Sequence, residues 1–475
     1  MKRFILSSIG FFILFVLIFN HFNKVFSSQH HFVNTTNDFK NLAKKTNIDI
    51  LFIGSSHAYT AFNPLLIDKN CNTISYNLGS DGLRVSLTDL VLEEALKYTQ
   101  PKLIVLEIYN GSITQPTKEK AKGYQLRALD FVSNFSIKKL KKINRFYSHD
   151  EILGVLFPLI RNHRKWNKVD YFDYDKSKKF NLEENFYYRG FIGSSNIISV
   201  KGGREKFADF RNKNIEFDAS KVLISDESKE DIMNILNIAK DNNIKVLIVS
   251  APDPRARFSN YDFFNQLKSF CDTNNVPFLN MNNYYSEMSL GINDFKDKSH
   301  LNTLGSIKAS NFLSGHLSKN YKFKNRSDES FWKSEASIYN NFKRLYVTNL
   351  IYDKKIDKSL SKNVGLNHIK INQKNKTVEI RVLFDSLKTN FSNLGNYRLG
   401  VNVFPKASSE NQISERSKKK GNKFDISNVV LKNSEREASL FIETNIEHID
   451  KIKLFLYNKD KYNGVIGKPF WIKGL

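Results

Sequence analysis

What most constrains this chain is a set of apolar runs that are too short for helices and too continuous for half-buried strands. Ile48–Ile53, Leu103–Ile108 and Ile244–Ser250 are mostly β-branched or apolar. Such runs read as strands buried on both faces, the pattern of a parallel sheet. Thr73–Leu78 and Val276–Met281 complete the set. Between them lie stretches with helical spacing: Leu83–Tyr98 (Leu83, Leu87, Leu90, Val91, Ala95), Glu227–Asn242, Tyr261–Thr273 and Thr303–Leu317. The alternation predicts an α/β fold, a three-layer α/β/α domain on a five-stranded parallel sheet.

At 475 residues the chain is long for one domain, and two or three are expected. We read residues 1–28 as a signal anchor and 29–324 as the α/β domain, with Gln29–Thr46 a stalk or short helix. From about 112 to 223 the alternation stops. Lys- and Arg-rich helical pieces (Ile137–Tyr147, Glu151–Arg164) and a Tyr/Asp/Lys-rich stretch (Asp170–Tyr188) stand there, too long for a plain loop. They read as a largely helical insertion that caps the active site. Residues 325–475 change character. Strand-like runs at Thr377–Phe384, Tyr397–Phe404, Asp425–Leu431, Ala438–Glu443, Lys451–Tyr457 and Pro469–Ile472 predict an antiparallel β-sandwich, with Ser414–Lys423 as a basic loop.

Lys2-Arg3 precedes an uncharged apolar run, Phe4–Phe19. Counted with its flanks, the run is long enough to span a bilayer, and the charge ahead of it places the rest of the chain on the extracytoplasmic side, in the periplasm or at the cell surface. A cleaved signal peptide is the competing reading. The residues around Phe26-Ser27-Ser28 lack the small-x-small cleavage pattern, which favours an uncleaved transmembrane helix. The net charge of +25 suits either a solvated basic surface or a polyanionic partner. With no nucleic-acid motif, nucleic acid is not expected. Cys71 and Cys271 could form one disulfide in an exported protein, but they lie in different expected elements and read at least as well as two buried thiols. No His/Cys cluster suggests a metal, and no cofactor is expected.

The first strand is broken by Gly54-Ser55-Ser56-His57, at the strand end where α/β folds place reactive groups. A serine hydroxyl needs a base to take its proton, and the base needs a carboxylate to fix its tautomer. Among ten histidines, His300 has the best setting: Asp297-Lys298-Ser299-His300 directly ahead of the last helix. Ser56, His300 and Asp297 are the candidate nucleophile, base and orienting acid; the alternative for the last two is a polar helix N-terminus with Asp297 or Ser299 as its cap. Gly193-Ser194-Ser195 repeats the first motif, but no strand of the right character precedes it. Arg84, Arg255 and Arg257 sit at expected strand ends, where ligands bind; His57 adjoins the nucleophile and could touch substrate.

This ordered set resembles the SGNH (GDSL-like) hydrolase family, in which a serine follows the first strand and an Asp-x-x-His block precedes the final helix. The resemblance covers roughly residues 46–320 apart from the insertion. It implies Ser56 as nucleophile, His300 as base and Asp297 as its partner. It further implies an oxyanion hole from the N–H groups of Ser56 and Gly79, with Asn110 as third donor. Ser55 stands where the family often has Asp, and the third block here is Glu107-Ile108-Tyr109-Asn110. The anchor and the Ser-Ser-His sequence are more similar to the membrane-anchored branch, which includes the teichoic-acid D-alanyl transfer protein and the alginate O-acetylation proteins. That likeness implies a cell-envelope serine acyltransferase acting on a surface polysaccharide or other envelope glycan, with a membrane-bound O-acyltransferase as acyl donor and with His57 and Arg84 toward substrate. Two alternatives stay open: an extracytoplasmic carbohydrate esterase or deacetylase, and a non-catalytic glycan-binding or assembly protein.

Overall fold

The apolar runs pair as one parallel sheet in the computed structural model. It describes residues 1–26, 31–113, 119–134, 136–167, 186–194, 196, 198, 224–254, 261–326, 335–340, 342, 349–374, 377–406, 418–420, 423–431, 437–444, 446–458 and 465–473. Two compact units divide the chain, Met1–Lys333 and Ser334–Leu475.

The first unit opens with α1 (Lys2–Val25) and α2 (His31–Ala43), followed by β1 (Ile50–Ile53), α3 (Ser56–Ala61), α4 (Pro64–Cys71), β2 (Ser75–Asn77), α5 (Val85–Leu96) and β3 (Leu103–Glu107). Next come α6 (Asn110–Ile113), α7 (Glu119–Phe131), α8 (Ile137–Phe146), α9 (His149–Leu156) and α10 (Pro158–Arg161), and a small hairpin of β4 (Tyr187–Tyr188) and β5 (Phe191–Ile192). The alternation resumes with α11 (Asp226–Asp241), β6 (Lys245–Ser250), α12 (Tyr261–Thr273), β7 (Phe278–Asn280) and α13 (Thr303–Asn320). The five parallel strands lie in the order β2-β1-β3-β6-β7.

Alternate residues of each strand enter two separate cores. Leu51, Ile53, Ile104, Leu106 and Ile248 pack with α5, α7, α8, α11 and α12. Ile50, Phe52, Leu103, Val105, Leu247 and Val249 pack with α3, α4 and α13. Burial on both faces explains why the strands read as continuous apolar runs. The two thiols fall on opposite faces, Cys271 in the first core and Cys71 against the second; both are free.

Two helices between the first strands were not expected. Each is short and set by its cap: Ser55 accepts the His57 N–H for α3, and Asn63 accepts the Leu65 N–H for α4, with Pro64 in the first turn. The expected single helix Glu151–Arg164 is split, because Pro158 has no N–H to continue α9 and instead starts α10. The β4–β5 hairpin was likewise unforeseen, and most of the Tyr/Asp/Lys-rich stretch lies outside the described residues. Arg189 in the hairpin turn forms a buried ion pair with Asp68 of α4 (2.7 Å; side chains 6% and 0% exposed), and its carbonyl accepts the Asn77 N–H at the end of β2.

The second unit is antiparallel. One sheet holds β8 (Asn349–Ser361), β9 (Val364–Lys374), β10 (Thr377–Phe384) and β14 (Glu437–Glu443); the other holds β11 (Tyr397–Pro405), β12 (Lys418–Lys420), β13 (Lys423–Val430), β15 (Ile449–Asn458) and β16 (Val465–Lys473). Both contribute alternate residues to one apolar core: Val378, Ile380 and Val382 from β10, Leu399, Val401 and Val403 from β11, Ile452, Leu454 and Leu456 from β15. That period of two is the strand signature. β8 and β9 escaped the sequence reading. β8 is an edge strand rich in Lys and Asp, the composition that keeps an edge from pairing with other chains. Part of the expected basic loop, Lys418–Lys420, is the edge strand of the other sheet.

The Asp68–Arg189 pair gives a stability test. Arg189→Met leaves Asp68 buried without its cation and should lower the unfolding free energy by roughly 3 kcal/mol or more. Adding Asp68→Asn should recover part of that loss, read by denaturant titration.

Candidate active site

The site begins where β1 ends. Gly54 is required there: a Cβ would come within 2.6 Å of Glu107 Cβ and 2.8 Å of its Oε2. Because Gly54 has no side chain, Glu107 of the neighbouring central strand β3 can lie against the turn and hold it. Its Oε2 accepts the Ser55 N–H (2.8 Å) and the Ser55 hydroxyl (2.7 Å). Ser55 in turn caps α3, so Ser56 is fixed at the first position of the helix. Glu107 is therefore a buried group of the middle strand.

Ser56 meets the far end of the unit there. Its Oγ lies 2.8 Å from His300 Nε2. His300 Nδ1 lies 2.9 Å and 3.0 Å from the two oxygens of Asp297. Asp297 Oδ1 also accepts the backbone N–H groups of Ser299 and His300, both at 2.9 Å, so the loop ahead of α13 is wound around its carboxylate. That loop is held by Asn302, whose side chain caps α13 through Leu304 and Gly305 and also donates to Asn293 O.

The electrostatics suit a neutral base beside an ionised acid. Burial holds the His300 imidazole below its ordinary value. The Asp297 hydrogen bond opposes this, while the charges of His57 and Lys296 push the same way as burial. For Asp297, burial would raise the carboxyl, but the His300 hydrogen bond and charge, with the two backbone N–H groups, outweigh it and hold the group well below the usual carboxylate range.

His57 is turned inward. It is buried (3% exposed), with Nδ1 3.2 Å from Ser55 Oγ and Nε2 3.3 Å from Asp253 Oδ2. Its ring packs between those of His300 (centroids 4.8 Å) and Tyr109 (4.3 Å). A buried row, Glu107–Ser55–His57–Asp253, thus backs the Ser56–His300 pair. Burial pushes the Glu107 carboxyl up, against the pull of His57 and Ser55. Asp253, which follows β6 and whose N–H donates to Asn282 Oδ1, had no signal beyond standing at a strand end.

The expected oxyanion donors are placed differently from one another. Among the described residues the Ser56 N–H has no acceptor, whereas those of His57 and Ala58 go to Ser55. The Gly79 N–H is taken by Asn77 Oδ1 (3.0 Å), so in this conformation Gly79 serves close approach: a Cβ there would meet Ser55 O at 2.9 Å. Asn77 also donates to Ala58 O and Phe62 O, clamping the C-terminal turn of α3. Asn110 starts α6 and turns its Oδ1 back onto the Gly111 N–H; no contact links it to Ser56 or His300 among the described residues. The third block reaches the site through Tyr109 instead. Arg84 precedes α5 and is half-buried near Tyr109; burial lowers its guanidinium and the tyrosine opposes this. Arg255, Arg257 and Ser195 lie outside the described residues.

Further charged groups border Asp297. Asp81 takes both the Tyr59 hydroxyl and Arg127. Lys296 is near enough to Asp297 and Asp81 to feel both, though burial still lowers its ammonium. None of these was singled out from sequence, since each is a lone polar residue in its own segment. A separate cleft of about 400 Å3, lined by Pro101, Lys102, Asn243 and Tyr321 among others, opens at the opposite end of the strands and does not touch this site. Among the described residues no group of three or more His, Cys, Asp or Glu could hold a metal ion.

No family model matches the chain. No curated protein matches it either. Twelve chains of solved structures do match. One is the crystal structure of a "putative acylhydrolase" from Bacteroides fragilis, 13% identical with a TM-score of 0.29, over 59% of this chain and 94% of that one. A likeness at that level carries no weight about activity.

The pH response of Ser56 follows from the charges around His300. The base works when neutral and is held below its ordinary value, so the acid limb of Ser56 labelling by a fluorophosphonate should fall below about pH 6.5. Lys296→Met removes a cation that disfavours protonation of His300 and should move that limb upward. Asp297→Asn loses the restraint on the tautomer and should slow labelling at every pH. Labelling rates across pH check all three.

Proposed function

We propose that the chain is a serine acyl-transfer enzyme of the cell envelope, of the SGNH type, working through an acyl-serine intermediate. The observation that carries this reading is the unbroken Ser56 Oγ–His300 Nε2, His300 Nδ1–Asp297 Oδ2 row at 2.8 Å and 2.9 Å. In the proposed cycle Ser56 Oγ attacks the acyl carbonyl carbon and its proton passes to His300 Nε2. The tetrahedral oxyanion is met by the Ser56 N–H at the start of α3. Collapse expels the donor oxygen or sulfur, which takes the proton from His300. An acceptor hydroxyl then gives His300 its proton and attacks the acyl-serine, and the proton returns to Ser56 Oγ.

The acceptor we favour is a sugar hydroxyl of an envelope polysaccharide, with a membrane-bound O-acyltransferase as donor partner. It is supported by α1, which is long and apolar enough to cross a membrane, and by the +25 net charge and the cations Arg84 and Lys296 near the site, which suit an anionic glycan. Hydrolysis is the second reading. It is favoured by the partial exposure of the largely buried base and acid, whose side chains are 21% and 45% exposed and so within reach of water.

Fluorophosphonate labelling of the full chain should be abolished by Ser56→Ala and slowed about 10³-fold or more by His300→Ala. Labelling that persists in Ser56→Ala would overturn the nucleophile, and no labelling of the unsubstituted chain would favour a non-catalytic glycan-binding protein. Acyl transfer to a glycan, measured against acyl release to water, then separates the two enzymatic readings.

A further inference from the structure

The end of α1 is built into the first unit. From Lys2 to Asn23 it is long and apolar enough to cross a membrane, and its side chains stay exposed as far as Ile18. Beyond that it docks. Phe19 meets Phe157 edge-on (5.1 Å), Asn23 Oδ1 accepts the Leu159 N–H (3.0 Å), Phe26 O accepts Asn162 Nδ2 (2.7 Å), and Val25 and Phe26 are each 2% exposed. All of these partners belong to the α9–α10 segment.

The length of the helix sets a depth. A hydrocarbon core about 30 Å thick is crossed by roughly 20 residues at about 1.5 Å each. With Lys2-Arg3 at one headgroup layer, the other falls near Phe22 and Asn23, where α10 is docked. On this same segment Leu153, Ile160 and Trp166 are 57%, 37% and 51% exposed, next to the exposed basic residues His163 and Arg164. An apolar tip with a tryptophan and flanking cations is what an interfacial segment presents to lipid. The segment is also stiff: Arg161 pairs with Asp130 (2.6 Å) and donates to Gly154 O, Asn134 donates to Leu156 O, and Trp166 Nε1 donates to Leu159 O.

We propose that α9, α10 and the turn to Trp166 form a platform seated on the anionic bilayer surface beside the exit of α1, with Leu153, Ile160 and Trp166 in the interfacial layer and Arg164 toward headgroups. The proposal rests on α1 being a membrane-spanning helix. It also fixes the attitude of the active site, because α7 ties the platform to it: Glu151 of α9 pairs with Lys122, while Gln125 donates to Gly82 O and Arg127 pairs with Asp81.

The test uses the full chain carrying Trp332→Phe and Trp471→Phe, so that Trp166 is its single tryptophan. It is reconstituted in vesicles of phosphatidylethanolamine and phosphatidylglycerol with acyl chains brominated near the headgroup. We expect Trp166 fluorescence to fall by half or more. Leu153→Asp with Ile160→Asp, or the milder pair of serines, should relieve the quenching while Ser56 labelling in detergent is unchanged. A chain that resists alkaline carbonate extraction yet shows no quenching overturns the platform and leaves the anchor standing. Quenching unchanged by both pairs of substitutions overturns it too, since α1 alone would then hold Trp166 near lipid. A chain stripped by carbonate overturns the membrane reading and the platform with it.

Discussion

The contact on which the site depends is the one between Gly54 and Glu107. Two adjacent parallel strands bring the end of β1 against the end of β3, and the absent side chain at Gly54 is what lets a carboxylate lie there. A buried carboxylate must find donors, and it finds the N–H and hydroxyl of Ser55. Those two bonds settle the conformation of the residue that caps α3, and therefore where Ser56 points. The same short region is braced by Asn77 through the last turn of α3 and by the close approach of Gly79. The Ser56 turn is thus held by the sheet and not by its own loop, which is the condition for a reacting atom to stay within hydrogen-bond reach of a base.

The base arrives from 244 residues away and is positioned by different means. Asp297 gathers two backbone N–H groups and the imidazole, so the loop before α13 is organised around one carboxylate. Beneath it His57 acts as a packing surface whose own nitrogens look inward, to Ser55 and Asp253. One buried polar row therefore stands behind both halves of the site. Such a row is favourable only when its members are satisfied. Glu107 Oε1 lacks a partner among the described residues, in keeping with the upward push that burial exerts on this carboxyl.

Much of the fold was legible. The five parallel strands, α5, α11, α12 and α13 follow from apolar runs and helical spacing, which report burial on two faces or one. Less legible were α3 and α4, because short helices are decided by caps such as Ser55 and Asn63 more than by periodicity. β8 was hidden because an edge strand with a wet face carries Lys and Asp where an inner strand carries Val and Ile. At the site, Ser56, His300 and Asp297 could be picked out by their place relative to strands and helix. Glu107, Asp253, Asn77 and Tyr109 could not, since nothing local distinguishes a buried polar partner from an exposed one. His57 shows the converse: adjacency to Ser56 suggested a role toward substrate, but one position along a helix turns a side chain by roughly 100°, and this one points into the protein.

The amino-acid sequence by itself determined the alternation of strand and helix, the apolar N-terminal helix and the residue types available for acyl transfer, because periodicity and composition are local properties of the chain. Only the tertiary structure decided that Ser56 and His300 meet, that the Gly79 N–H is spent on Asn77, and that the end of α1 is docked rather than loose. Those are distances between segments far apart in the chain, and they are set by how the sheet stacks its strands and buries both faces.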